Sequence, residues 1–335
     1  MEHRFSGIID VLEFHNYLST MIGVWSHERD PDAPYDMVTR YAPAIDVAAL
    51  HAIDAHVHVD LGEDGHTSLP TEINDAANAY FRADPARLSI DQIAGHYRER
   101  SIAAVVFTVD ATTNLGHRPN SVEEIAEGAA RNNDILIPFG SVDPLQGDAA
   151  IDRARRLVDE YGVRGFKFHP SVQGFDPSRR RHFPLYAALQ ELGLPCIFHT
   201  GQTGIGAGTP GGSGIRLSYS NPMLLDAVAA QFPELTIIMA HPSVPWQDEA
   251  LAIATHKQNV FMDLSGWSPR YFAPQLVRQV DSILRSKALF GSDFPLISPD
   301  RWQDDFARLE LKPETRAAVL KDNAVRVLGL EEASR

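Results

Sequence analysis

The chain has 335 residues, 44% of them hydrophobic and 22% charged, with a formal net charge of −14 at pH 7. Its mean hydropathy is −0.19 and its isoelectric point about 5.4. That length allows one large domain or two ordinary ones, with enough apolar material for a sizeable core. The acidic balance argues against nucleic acid and anionic membrane as partners, and an anionic substrate would need a local basic patch.

The N-terminal stretch "MEHRFSGIIDVLEF" is interrupted by Asp10 and Glu13, so it does not read as a signal peptide, and no apolar run approaches membrane-spanning length. A cytoplasmic chain with no membrane partner is the expectation. Residues 1–50 read as an N-terminal extension. Within it "IIDVLEFHNYLSTMIGVW" is partly helical in pattern and "ERDPDAPYD" (28–36) reads as a loop. This extension could cap the bottom of the following domain, join a subunit interface or stay disordered.

From residue 51 onward, short apolar runs alternate with helical patterns. The runs are 52–58, 102–109, 135–142, 163–169, 194–200, 235–241, 259–265 and 288–294. Between them lie segments such as "DAAIDRARRLVDEYG" (148–162) and "NPMLLDAVAAQFP" (221–233), where Asn221 is a natural N-cap and Pro222 fits the first turn. Eight Val-, Ile- and Phe-rich strands, each followed by a helix, predict an α/β (β/α)8 TIM barrel over 51–335. A doubly wound open sheet is the rival. Cys196, the single cysteine, lies within "LPCIF" and reads as a buried packing residue, so neither an internal disulfide nor a cysteine-rich zinc site is possible within one chain.

In such a barrel, reacting groups sit at the C-terminal ends of the strands. Here those ends carry His56 and His58 (strand 1), Lys167 and His169 (strand 4), His199 (strand 5), His241 (strand 6) and Asp293 (strand 8), while strand 7 contains Asp263. Five of the fourteen histidines fall at strand ends, which a random scatter of polar groups does not explain. Neutral imidazoles and a carboxylate ligate Zn(II), Mn(II) or Fe(II), so His56, His58, His199 and Asp293 could converge on one divalent ion. Such an ion lowers the pKa of bound water and polarises a carbonyl. Asp293 could also take a proton, and His241 could orient the carbonyl or act as acid and base.

"DAHVH", "FHTG", "AHPS" and "FGSDFP", in that order, resemble the amidohydrolase superfamily over residues 52–330, including the closing "NAVRVLGL". Within it the chain resembles the branch of the aminocarboxymuconate-semialdehyde decarboxylases and related hydrolases. The resemblance implies one Zn(II), with Mn(II) as the alternative, on His56, His58, His199 and Asp293, and His241 as the acid/base residue. Binuclear relatives use a strand-4 lysine or glutamate; His169 beside Lys167 departs from that pattern, so both read as substrate contacts, against the reading that Lys167 simply pairs with a carboxylate in the barrel mouth. Longer stretches (165–175, 245–272, 289–302) resemble 4-hydroxyphenyl-β-ketoacyl-CoA hydrolases. That implies water addition to an aromatic β-ketoacyl-CoA, giving an aromatic acid and acetyl-CoA.

After strand 5, "GQTGIGAGTPGGSG" (201–214) formally contains a dinucleotide fingerprint, but more glycine follows where a helix should open. Its free N–H groups, around Gly204 and Gly206, could bind an anionic or carbonyl group, or the loop could be a lid without contact. Arg179, Arg180 and Arg181 invite a phosphate of a CoA thioester, against the reading of a solvated helix start. Trp267 offers an aromatic wall or a core contact. The leading expectation is a metal-dependent hydrolase of a small-molecule carbonyl substrate, assembled as a homo-oligomer. The alternatives are a metal-dependent, non-oxidative decarboxylase of an aromatic or unsaturated acid, and a barrel that binds without catalysis.

Overall fold

The structure, a computed structural model, describes residues 39–81 and 87–331. The helical pattern and loop expected before residue 37 lie outside the described residues. Each predicted strand window contains one strand: β1 (Ala52–His58), β2 (Ile102–Phe107), β3 (Leu136–Pro138), β4 (Phe166–Phe168), β5 (Cys196–His199), β6 (Ile237–Ala240), β7 (Val260–Asp263) and β8 (Ala288–Leu289). Most are shorter than their windows because the chain leaves the ladder early to build loops. At the end of β4, His169 already caps the short helix Pro170–Gln173. After β8, Asp293 turns the chain with a φ of 69°.

All pairings are parallel, in the orders β1-β2-β3 and β4-β5-β6-β7-β8. Bridges between Gly140 and Phe166 and between Val57 and Phe294 join the two runs at both seams. The sheet therefore closes on itself, and the open-sheet alternative falls. A closed parallel barrel gathers every strand C-terminus at one end, which is what brings residues far apart in sequence to one mouth.

The outer helices follow their sequence signals. Helix Asp148–Tyr161 buries Ala150, Ala154 and Leu157 and stops at Gly162, whose φ of 73° suits a left-handed C-cap. Asn221 accepts a hydrogen bond from Met223 N at 2.8 Å, as a cap should. Residues 39–50 run across the strand-start end: Tyr41 N donates to Tyr161 O at 3.0 Å, and Ala44 N donates to Asn133 O at 2.9 Å. Thus the part of the extension that is described caps the barrel bottom.

The core is aromatic where strands 3 to 5 meet; Phe168 and Phe198 stack at 5.0 Å. Cys196 is fully buried there and burial pushes its thiol up, so it packs as expected. Backbone and ring also meet tightly. A Cβ on Gly165 would lie 2.3 Å from two atoms of the buried Phe139 ring. Gly165→Ala is therefore expected to destabilise the fold by about 1–3 kcal/mol through overpacking. Urea unfolding measures it, and Phe139→Leu in the same chain should recover part of the loss. An unchanged midpoint in Gly165→Ala would show that the ring has room to move.

Candidate functional site

The site begins with a fault in the β1 ladder. Asp54 pairs with Ala104, but Val57 pairs with Val106, so β1 carries one extra residue between them. Such a bulge reverses the alternation of side chains. His56 and His58 turn into the barrel, each ring 5.0 Å from the Phe107 ring. Asp54 turns the other way, and accepts a hydrogen bond from the hydroxyl of Tyr97, on helix Ile90–Arg98, at 2.8 Å. Strict period-two alternation would have placed all three on one face. Burial pushes Asp54 up to about 7, against the hydrogen bonds that lower it.

Two imidazoles and a carboxylate converge at the mouth. His56 Nε2 and His58 Nε2 lie 3.3 Å and 3.2 Å from the same oxygen, Asp293 Oδ1. Burial, aided by the charge of Lys167, lowers His56 to about 3, so its ring is neutral. Burial acts to raise Asp293, but the hydrogen bond from His58 and the surrounding imidazoles hold it well below the carboxylate range. The geometry gives these three side chains the makings of a cation site.

Asp263 sets the orientation of His56. Its Oδ2 is 3.0 Å from His56 Nδ1. A carboxylate only accepts, so Nδ1 carries the proton and the Nε2 lone pair faces Asp293. The other oxygen, Oδ1, accepts from Ser265 N at 3.0 Å, from Ser265 Oγ, and from His241 N at 3.4 Å. Burial works against the ionised form of Asp263, and these partners with His56 overcome it, holding its carboxyl below the usual range. The sequence marks Asp263 as part of strand 7 but gives no hint of this role, because its partner lies 207 residues away.

A second line of groups runs from this pair across the mouth. Ser265 Oγ is 2.9 Å from His241 Nδ1, and His241 Nε2 is 3.0 Å from His199 Nδ1. His199 Nε2 points to the Gln202 carbonyl at 3.2 Å. His169 stacks on His199, ring centres 3.7 Å apart and nearly coplanar, and its Nε2 meets Thr203 Oγ1 at 3.3 Å. Burial lowers the pKa of all three rings, those of His169 and His199 well below the ordinary histidine value. Lys167 is fully buried, its Nζ 2.8 Å from His56 Nε2 and 4.7 Å above Phe107. Burial lowers it to about 8, against the pull of Asp263 and Asp293. Lys167 Nζ thus lies at the buried base of the cluster, against His56.

The remaining expected contacts sit farther out. Arg179, Arg180 and Arg181 are exposed ahead of helix Phe183–Glu191; Arg179 pairs with Asp176 at 3.0 Å, and Arg181 Nε donates to His182 Nε2 at 3.1 Å. The structure does not bring them into the imidazole cluster. Trp267 is half-buried on the loop after β7, neither in the core nor fully open. Gly204 lies half-buried, and Gly206, with a φ of 82°, is packed so closely that a Cβ would meet Gly212 O at 2.4 Å.

The tautomer assignment has a direct check. In Asp263→Asn, the Oδ1 position keeps its three donors, which leaves an NH2 facing His56 Nδ1. His56 should then carry its proton on Nε2, and 15N NMR of the imidazoles should show the two nitrogen shifts exchanged. Unchanged shifts would mean that Asp263 does not set the ring.

The model of the family described as amidohydrolase matches residues 53–330. Among curated proteins, the protein fluG of Emericella nidulans is 29% identical over 132 residues, which are 39% of this chain and 11% of that one. The chain thus spans only a small part of that relative's length. Among solved structures, an uncharacterized TIM-barrel protein from Bordetella bronchiseptica is 23% identical with a TM-score of 0.69, over 85% of this chain and 99% of that one. A dihydroxybenzoic acid decarboxylase from Polaromonas, solved with manganese and the inhibitor 2-nitroresorcinol, is 16% identical with a TM-score of 0.59, over 84% and 97%. These likenesses agree on the barrel fold, and with the family match covering most of its length the chain belongs to the amidohydrolase family.

Proposed function

We propose that the chain is a divalent-metal-dependent, non-oxidative decarboxylase of an aromatic or unsaturated carboxylic acid, with hydroxybenzoates as the first substrates to try. The observation that carries the reading is the convergence of His56 Nε2 and His58 Nε2 on Asp293 Oδ1. Imidazole nitrogens and a carboxylate oxygen gathered this closely, with Lys167 Nζ as the one ammonium beside His56 Nε2, form a mixed nitrogen and oxygen donor set that fits a divalent metal ion. His56, His58 and Asp293 would hold it, with His199, which the family resemblance adds and which here faces His241 and the Gln202 carbonyl, as fourth ligand; Mn(II) and Zn(II) both suit three nitrogens and an oxygen. When bound, the ion supplies positive charge that polarises substrate oxygens. The reaction itself is taken from the barrel's likeness to a dihydroxybenzoic acid decarboxylase.

Decarboxylation breaks one C–C bond, leaves its electron pair on carbon and requires a proton there while CO2 departs. His241 would handle that proton, its ring oriented at the mouth by Ser265 Oγ on Nδ1 and lying beside the proposed ligand His199 through Nε2. His58 and Asp293 keep side-chain exposures of 22% and 12%, so substrate meets the site on their side. Lys167 is sealed below and balances Asp263 and Asp293 from inside.

The hydrolase reading, with an aromatic β-ketoacyl-CoA as substrate, leans on Arg179, Arg180 and Arg181 for the CoA phosphates. Two of those three already have protein partners outside the cluster. The metal-loaded enzyme should release CO2 from a hydroxybenzoate in D2O and place deuterium at the vacated carbon. Acetyl-CoA release from an aromatic β-ketoacyl-CoA, with no CO2 from any acid, would replace this reading with the hydrolase. Two variants test the roles by metal analysis and rate together. His199→Ala should lose most of its metal. His241→Ala should keep its metal and lose turnover by about 100- to 10,000-fold. Metal loss in His241→Ala would make that residue a ligand instead.

A further inference from the structure

Asp54 lies outside the imidazole cluster, is fully buried, and has a carboxylate filled by four donors. Its Oδ1 accepts from His56 N at 3.0 Å and from Ser292 N at 2.9 Å. Its Oδ2 accepts from Ser292 Oγ at 2.5 Å and from the Tyr97 hydroxyl at 2.8 Å. The bulge leaves His56 without a partner residue on β2, and Oδ1 answers that backbone N–H. The same carboxylate grips both N and Oγ of Ser292, the residue before Asp293. Ser292 Oγ in turn accepts from Phe294 N at 3.1 Å, so the turn is held on both sides of Asp293.

From this geometry we propose that Asp54 is a positioning residue. It fixes the bulge that aims His56 inward and locks the β8 turn that presents Asp293, setting the distance between two ligands from behind. A purely space-filling role does not call for this side chain. Its neighbours on β1 are Ala52, Ile53, Ala55 and Val57, all buried and apolar. A carboxylate in such surroundings is costly unless its donors repay the desolvation, and here the donors belong to the backbones that carry the site.

The inference rests on the reading that His56 and Asp293 bind a metal ion, and Co(II) titration of the full chain separates the two. Asp54→Ala should weaken Co(II) binding at least about tenfold and shift the visible ligand-field bands, as loss of an orienting partner does. Asp54→Asn keeps the Oδ1 acceptor for both backbone N–H groups and should restore wild-type bands, with binding within about threefold of the wild type. If Asp54→Ala does not fold, Ser292→Ala, which removes one hydroxyl, decides the matter by a weaker Co(II) affinity and shifted bands. A folded Asp54→Ala with lower thermal stability but wild-type affinity and spectrum would make Asp54 merely structural and overturn the proposal. So would wild-type values in Ser292→Ala where that variant has to decide. A wild-type chain that binds no Co(II) overturns the metal reading, and the positioning role with it.

Discussion

Buried charge is the constraint on which this structure turns. Asp263 and Asp293 are both held ionised at the barrel mouth, where burial alone would protonate them. Lys167 supplies one positive charge, and the four imidazoles of His56, His169, His199 and His241 are held neutral by burial. Carboxylates, an ammonium and imidazoles packed this closely with little water interact strongly, so each side chain's orientation is set by its neighbours. Asp263 takes the His56 proton on Nδ1, which leaves Nε2 to face inward.

Local backbone strain accompanies this arrangement. His241 and Asp293 both sit at positive φ, 71° and 69°, a region that non-glycine residues seldom occupy. Two glycines leave room within the cluster: a Cβ on Gly266 would lie 2.5 Å from His241 Nδ1, and one on Gly291 would lie 3.0 Å from His56 Cβ. Non-glycine residues in the left-handed region are costly to fold and need surroundings that over-determine them. The hydrogen bonds from Ser292, Ser265 and Asp293 N, the last to His56 O at 3.0 Å, provide such surroundings.

Much of this is legible in the sequence itself. The eight apolar runs, the cap at Asn221 and the histidines at strand ends depend on local pattern, and local pattern carries across a closed barrel. The direction of Asp54 was not readable, because a bulge is a property of register between two strands rather than of either strand. The orienting roles of Asp263 and Ser265 are hidden for a related reason: their partners come from β1 and the end of β6, far away in sequence. The depth of Lys167 is likewise a matter of packing: its amine lies 2.8 Å from His56 Nε2, which no local pattern foretells.

The glycine-rich loop is tied down in part by its own packing. Seven glycines after β5 suggested a nest of free N–H groups. In the fold, several of those groups are spent inside the loop and on its neighbours. Gly201 N donates to Ser220 O at 2.8 Å, Gln202 N to Val244 O at 2.7 Å, and Gly212 N to Thr209 O at 3.0 Å. Gly206 needs its glycine because the Gly212 carbonyl fills the place of a side chain. What ties the loop to the chemistry is not glycine but Thr203, against His169, and the Gln202 carbonyl, against His199. The loop therefore meets the imidazole cluster through one side chain and one carbonyl, while its glycines supply the positive-φ bends that let the backbone pass so close.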